Sequence, residues 1–288
     1  MGPADRDWTA PARGGQASPM RPFALALALL AAPAAAQPAP QPVEVDLELA
    51  LMVDVSRSMG PGELEIQRRG YAAALGSDEV IGAIRGGLIG RIAVSYVEWA
   101  GRYGQRTIVD WTLIETEDQA RAVADRLVAD FSPAMRRTSI SGALLTAAES
   151  IEANGFEGLR RVIDVSGDGP NNEGRPVTRA RDEVVARGFT VNGLPLMTRE
   201  GIGARWHLDD LDAYYAACVI GGPGAFLVPV VDWNQFAEAV RRKLVLEIAG
   251  PAPDAETRPI PVQYAPAPAY DCLIGEKMWE RYFYDGMP

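Results

Sequence analysis

The stretch Asp54-Val55-Ser56-Arg57-Ser58 carries the first chemical signal in the chain. One carboxylate and two hydroxyls at alternate positions converge on a point when a loop folds around it. All three are hard oxygen donors, the kind that suits Mg²⁺, Mn²⁺ or Ca²⁺. The same residues read with equal weight as a Ser-rich strand-to-helix turn in which Asp54 caps the helix. Two later positions bear on that choice. Thr138 stands just before an amphipathic stripe that starts at Ile140, and Asp168 stands just after an apolar run that ends at Val165. Asp54, Ser56, Ser58, Thr138 and Asp168 together offer two carboxylates and three hydroxyls from three places in the chain.

Other chemistry-bearing residues point elsewhere. Gly221-Gly222-Pro223-Gly224 has the glycine content of a phosphate loop, but no Lys-Ser/Thr follows it, so a tight turn before a strand is expected. His207 is the only histidine, with no nucleophile motif aimed at it, and reads as a surface residue. Asp164 lies inside a predicted buried strand, where an unpaired charge is rare. A structural pair with an arginine or a backbone donor is the expected reading, with a second polar site as the alternative. Trp206, Trp233 and Trp279 are expected to pack in the core, the alternative being a partner surface.

The elements that must position these residues alternate between strand and helix patterns. Val45–Val53, Arg91–Trp99, Gln105–Trp111, Leu159–Val165, Phe189–Leu194 and Ala225–Val231 are predicted strands. The short Gly101–Gly104 link makes the second and third a hairpin. Leu64, Tyr71 and Leu75 are at helical spacing. Thr116 and Gln119 form a capping box before the stripe Ala120, Val123, Ala124, Leu127, Val128 and Phe131. A second stripe runs over Ile140, Leu144, Ala147, Ala148 and Ile151. Val177–Arg187 is a helix stopped by Gly188, Asp210–Cys218 is a short helix, and Asp232 with Gln235 caps a last helix to about Ile248. This alternation predicts a doubly wound α/β fold: a mostly parallel sheet with one antiparallel edge strand and helices on both faces. In such a sheet ligands bind beyond the carboxyl ends of the strands, which is where all five oxygen-bearing residues fall.

At this point the sequence resembles the von Willebrand factor A domain family. That family's metal-ion-dependent adhesion site has D-x-S-x-S after the first strand, a Thr before a later helix, and an Asp in a T-D-G turn after the fourth strand. The matching positions are Asp54, Ser56 and Ser58, then Thr138, followed by Ala143-Leu144, then Asp168. The resemblance covers roughly residues 44–248 and is greatest to a branch of unknown function among exported bacterial proteins, in which a stretch like Ser166–Asn172 recurs. It implies direct ligation of one divalent cation by the hydroxyls, with the carboxylates acting through water. It also implies a position left open for a carboxylate from a protein partner. Mg²⁺ is the expected cation, with Mn²⁺ or Ca²⁺ as alternatives. Two departures stand out. Gly167 replaces the usual Thr, which changes no expected ligand, and Arg137 precedes Thr138 where the family has Gly, which places a cation beside the metal.

Composition bounds the remaining choices. A net charge of -10 without a basic run argues against nucleic acid and anionic membranes as partners. Of 28 basic residues only Lys243 and Lys277 are lysine, a skew typical of GC-rich bacterial genomes. Met20-Arg21-Pro22, the apolar run Phe23–Ala32 and Ala34-Ala35-Ala36 have the three-part layout of a secretory leader. The expected organisation is therefore a signal peptide over 1–36, with a true start possible at Met20, and a Pro/Gln linker over 37–43. The domain itself spans 44–250, and a Pro-rich tail over 251–288 packs back on it through the aromatic-rich segment Tyr270–Tyr284. After cleavage no membrane span is expected, and the destination is the periplasm or the exterior of a bacterium. In that oxidising setting Cys218 and Cys272 are expected to pair, closing a loop of about fifty residues worth roughly 4 kcal/mol. The expected function is metal-dependent protein binding without catalysis. The alternatives are a metal-assisted phosphoryl-transfer enzyme using Asp54, or a scaffold whose site no longer holds metal. Against the enzyme, Ser56 occupies the place where such enzymes put a second carboxylate.

Overall fold

The run from Val45 to Val53 is apolar apart from Asp46 and Glu48, a pattern suited to a strand covered on both faces. In the structure, a computed structural model, residues 41–129, 133–198, 207–250 and 270–284 are described. The expected leader, Phe131, Trp206 and the Pro-rich stretch 251–269 lie outside them. The chain order is β1 (Val43–Asp54), α1 (Pro61–Leu75), α2 (Asp78–Arg85), β2 (Ile92–Trp99), β3 (Gln105–Ile114), α3 (Glu117–Ala129), α4 (Ile140–Glu152), β4 (Phe156–Gly167), α5 (Val177–Ala186), β5 (Thr190–Pro195), α6 (Leu211–Tyr214), α7 (Phe236–Ala249) and α8 (Ile274–Tyr284). A π-helical turn over Tyr215–Val219 continues α6.

The strands form one sheet in the order β3-β2-β1-β4-β5. β1 pairs in parallel with both β2 and β4, and β5 pairs in parallel with β4. Only β3 is antiparallel, joined to β2 by the expected hairpin. Alternation along β1 divides its side chains between two cores. Leu47, Leu49, Leu51 and Val53 meet α1, α2, α3 and α7, while Ala50 and Met52 meet α4, α5 and the α6 segment. The two acids of β1 are satisfied locally. Asp46 accepts the backbone N–H groups of Ile89 and Gly90 at 2.9 and 2.7 Å, and Glu48 accepts from Asn154 Nδ2 at 2.6 Å and Gly158 N–H at 2.8 Å.

Three expectations need correction. Ala225–Val231 is not a strand of the sheet. It touches β5 through isolated bridges, Gly193 to Leu227 and Leu196 to Val230. Pro195, between the Gly193 and Met197 amides that donate to Phe226 and Val230, lacks the N–H that a continuous ladder requires there. The predicted strand Leu159–Val165 begins earlier, at Phe156, and its first half is not buried, with Leu159 61% exposed. The short helix α2, which the pattern reading passed over, is capped by Ser77, whose side chain accepts from the Val80 amide.

Strand order reverses at β1: the chain builds β2 and β3 on one side, then crosses to place β4 and β5 on the other. The crevice beyond the carboxyl ends of β1 and β4 is thus the topological switch point, where ligands bind in open α/β sheets.

Candidate metal centre

Asp54 is the last residue of β1, and Asp168 follows the last residue of β4. Parallel pairing of the two strands brings these ends side by side. The loops after them fold toward each other. The Ser56 amide donates to Asp54 Oδ1 at 2.7 Å, the Ser56 and Ser58 hydroxyl oxygens are 2.8 Å apart, and the Ser58 hydroxyl donates to Asp168 Oδ1 at 2.8 Å. Four of the five sequence-predicted residues are therefore joined by one chain of short polar contacts. Thr138, the fifth, lines the same cleft as Ser56, Ser58 and Asp168.

Backbone bonds fix Thr138 there. Met135 N–H donates to Val55 C=O at 2.8 Å, and Ser139 N–H donates to Ala100 C=O at 2.7 Å. Thr138 and Asn172 bond reciprocally: Thr138 N–H reaches Asn172 Oδ1 at 3.0 Å and Asn172 N–H reaches Thr138 C=O at 2.9 Å. Asn171, fully buried, takes Ser141 N–H on its Oδ1 at 3.0 Å, so the loop after β4 is bonded to the first turn of α4. Between these anchors Arg137 adopts φ 75°, the one left-handed non-glycine backbone among the described residues, a conformation that costs about 1–3 kcal/mol. Its guanidinium lies 3.6 Å from the centre of the Trp279 ring.

The electrostatics of the pair follow from burial. Asp54 is 0% exposed, and burial followed by the Asp168 charge holds its carboxyl well above the usual range. Burial pushes Asp168 up to about 6. Asp54 Oδ2 is buried with no hydrogen-bond partner among the described residues. Two crowded carboxylates, one with an unmatched oxygen, and three hydroxyls make an all-oxygen donor set that fits a hard dication, because its charge relieves both acids at once. Among the described residues no group of three or more His, Cys, Asp or Glu gathers elsewhere to hold a metal.

Sequence reasoning missed Tyr215. A Cβ at Gly167 would lie 2.9 Å from Tyr215 Oη and 3.0 Å from Asp54 Oδ2, and one at Gly193 would lie 2.7 Å from Tyr215 Cδ1. Both glycines make room for this ring, which occupies the space beneath the acid pair. Tyr215 is fully buried, and the π-helical turn that begins with it is a feature common at functional sites. Glu63 was also missed. It accepts from the Gly60 amide at 2.6 Å and from Trp233 Nε1 at 3.0 Å, and its charge adds to the rise at Asp168.

The remaining candidates lie apart. Asp164 is four residues back along β4, roughly 13 Å by strand rise, with its side chain toward α7. It pairs with Lys243 Nζ at 2.5 Å rather than with an arginine. His207 is not a surface residue: its side chain is 13% exposed and approaches Asp209 at 3.6 Å. The Gly221–Gly224 turn pairs with Val191 near the start of β5, at the end of the sheet opposite Asp54. Trp233 joins the core as expected, but Trp279 lines the cleft.

Comparisons with known proteins agree with this geometry at the level of fold. Proximal thread matrix protein 1 from the mussel byssus superposes with a TM-score of 0.52 at 15% identity, over 73% of this chain and 49% of that one. The pilus adhesin SpaC of Lactobacillus rhamnosus GG gives 0.51 at 13%, over 73% and 30%. A von Willebrand factor type A protein from Catenulispora acidiphila gives 0.50 at 16%, over 71% and 43%. The chain spans half or less of each of these proteins, and at such identities the likeness shows a shared fold. No curated protein matches the chain by sequence. With its doubly wound sheet and its von Willebrand factor A-like architecture, the chain belongs to the protein family of unknown function DUF1194, whose model matches residues 44–252.

Proposed function

We propose that this protein is an exported, divalent-cation-dependent protein-binding module. The observation that carries the reading is the polar chain from Asp54 through Ser56 and Ser58 to Asp168, with Asp54 Oδ2 buried and unmatched beside it. Ser56, Ser58 and Thr138 are the direct ligands in this reading. Asp54 and Asp168 supply compensating charge from beneath. A bound Mg²⁺ or Mn²⁺ supplies a Lewis-acidic position that a partner carboxylate completes. The protein's own contribution is to hold five oxygens in place before the cation arrives, which lowers the ordering cost of binding. Likeness in fold to a pilus adhesin and a byssus matrix protein supports a binding role, and the leader pattern supports export.

Phosphoryl transfer is the weaker reading. Arg57, Arg136 and Arg137 line the cleft and favour an anion there. A carboxylate nucleophile, however, must be reachable, and Asp54 is buried with Oδ1 committed to the Ser56 amide.

The test is titration calorimetry with Mg²⁺ and Mn²⁺ on the wild type and on Asp54→Ala. Saturable binding by the wild type and none by the variant is expected. A partner captured from the native periplasm should be released by EDTA. Identical capture with and without chelator removes the cation from the mechanism.

A further inference from the structure

The cleft over the candidate ligands has a second wall that the metal reading does not use. Gly275, Met278, Trp279 and Tyr282 line it together with Ser56, Ser58, Thr138 and Asp168. Their spacing, i, i+3, i+4 and i+7, is one face of α8. This face is fitted closely to the loop after β4. A Cβ at Gly275 would lie 2.1 Å from the Asn171 carbonyl oxygen, so the helix backbone rests directly on that loop. Asn171 Nδ2 donates to Glu276 Oε1 at 2.8 Å, Trp279 carries Arg137, and Cys218–Cys272 fastens the chain two residues before the helix begins.

Two consequences follow for any ligand. The first is shape. With α8 as a wall, the candidate cation position lies in a cleft of about 480 Å³, in the range of side-chain and small-ligand pockets. The flat face of a folded partner does not enter such a space, whereas an extended chain does. The second is charge. The protein carries a net charge of -10, yet the cleft lining holds Arg57, Arg136 and Arg137 against one carboxylate, Asp168. A cationic rim on an acidic molecule selects an anionic ligand and steers its approach. Trp, Tyr and Arg are the residues that anchor binding hot spots, and Met adapts to varied apolar neighbours.

We infer that the groove between α8 and the Arg57 and Arg136–Thr138 loops binds an extended acidic peptide, an Asp or Glu flanked by apolar residues, with α8 as the wall that contacts the flanking side chains. The inference rests on the proposed cation site for the carboxylate and on α8 and the arginines for the rest of the segment.

The experiment uses the full exported chain and a fluorescein-labelled peptide, three repeats of Gly-Asp-Leu, with the Gly-Asn-Leu repeat as control. Anisotropy in Mg²⁺ reads peptide affinity, and calorimetry reads metal affinity. Gly275→Val wedges α8 from the loop, Trp279→Ala removes its aromatic face, and Arg136→Ala thins the rim. Each should weaken the acidic peptide tenfold or more while metal affinity stays within about threefold, and the Asn peptide should not bind. Wild-type peptide affinity in both Gly275→Val and Trp279→Ala overturns the inference, as does a wild type that binds metal but no acidic peptide. A chain that binds the peptide through α8 but no metal keeps the groove and sinks the cation reading. A chain that binds neither sinks both.

Discussion

At position 167 the usual family side chain is missing because Tyr215 occupies its space. The Tyr215 hydroxyl and Asp54 Oδ2 both border the point where a Cβ on Gly167 would stand. Gly167→Ala should therefore destabilise the protein by about 1–3 kcal/mol through overpacking. Tyr215→Phe removes the nearer of the two atoms, so the same alanine should cost less in that background. Urea unfolding of the four proteins in the double-mutant cycle measures the coupling, expected at about 0.5 kcal/mol or more in the relieving direction. Additive effects within error mean that the hydroxyl and position 167 do not compete. The five oxygen-bearing residues were legible as candidates because each stands at, or within four residues of, an element end that periodicity reveals. Tyr215 was not, because nothing in its local pattern distinguishes a ring that will lie against Gly193 and Gly167 from any other core aromatic. The Asn171 and Asn172 side chains were hidden for the same reason: their partners are distant in sequence, Ser141 in the first turn of α4 and Thr138 in the loop before it.

Between elements, β4 and α7 are joined by a buried charge cluster. Lys243 Nζ lies 2.5 Å from both Asp164 and Glu247, and all three side chains are essentially unexposed. The sequence indicated that Asp164 needs a partner. It did not indicate that the partner would be one of only two lysines, nor that a second acid would share it. The cluster holds two carboxylates for one ammonium, so burial and the Asp164 charge push Glu247 up to about 7 from an ordinary 4.5. A raised folded-state pKa on an acid means that the folded protein binds the proton more tightly. Glu247 therefore costs little below about pH 4.5, and its ionisation erodes stability as pH rises toward 7, where the loss levels off. Wild type minus Glu247→Gln stability, from urea unfolding between pH 4.5 and 8, should fall by about 1–3 kcal/mol across that window. A flat difference means that Glu247 is ionised at no extra cost. Lys243→Met should be far worse at pH 8, by about 3–5 kcal/mol, because it leaves two facing acids uncompensated. Asp164→Ala should be milder than that, since Lys243 keeps Glu247. Elsewhere at this scale, the long amphipathic helices were legible from their stripes. The run Ala225–Val231 was misread because apolar content cannot show that Pro195 of the neighbouring strand will interrupt pairing.

Across the whole molecule, the two cores that sandwich the sheet are built from residues between Leu47 and Ile248, and Tyr270, Cys272 and Ile274 only join one of them at its margin. α8 is thus attached to a body that holds itself together, and the Cys218–Cys272 disulfide cross-links the segment before it to that body, with the Cα atoms 5.6 Å apart. In the chain-entropy model, cross-linking residues separated by 54 positions stabilises by about 4 kcal/mol. That contribution is spent where the loop closes, on the segment leading into α8, rather than on the sheet. Cys272→Ser should therefore open α8 as a local unit while β1 and β4 remain folded. Hydrogen exchange read by mass spectrometry should show amides of Ile274–Tyr284 losing protection at least tenfold, with those of Val43–Asp54 and Phe156–Gly167 changed less than about threefold. The Asn171–Glu276 hydrogen bond and the Arg137–Trp279 contact should loosen with the helix, so Thr138 and its neighbours in the β4–α5 loop should gain exchange next. Uniform loss of protection across the sheet makes α8 part of the single cooperative fold. Unchanged protection in α8 means that its non-covalent contacts suffice to hold it over the cleft without the bridge.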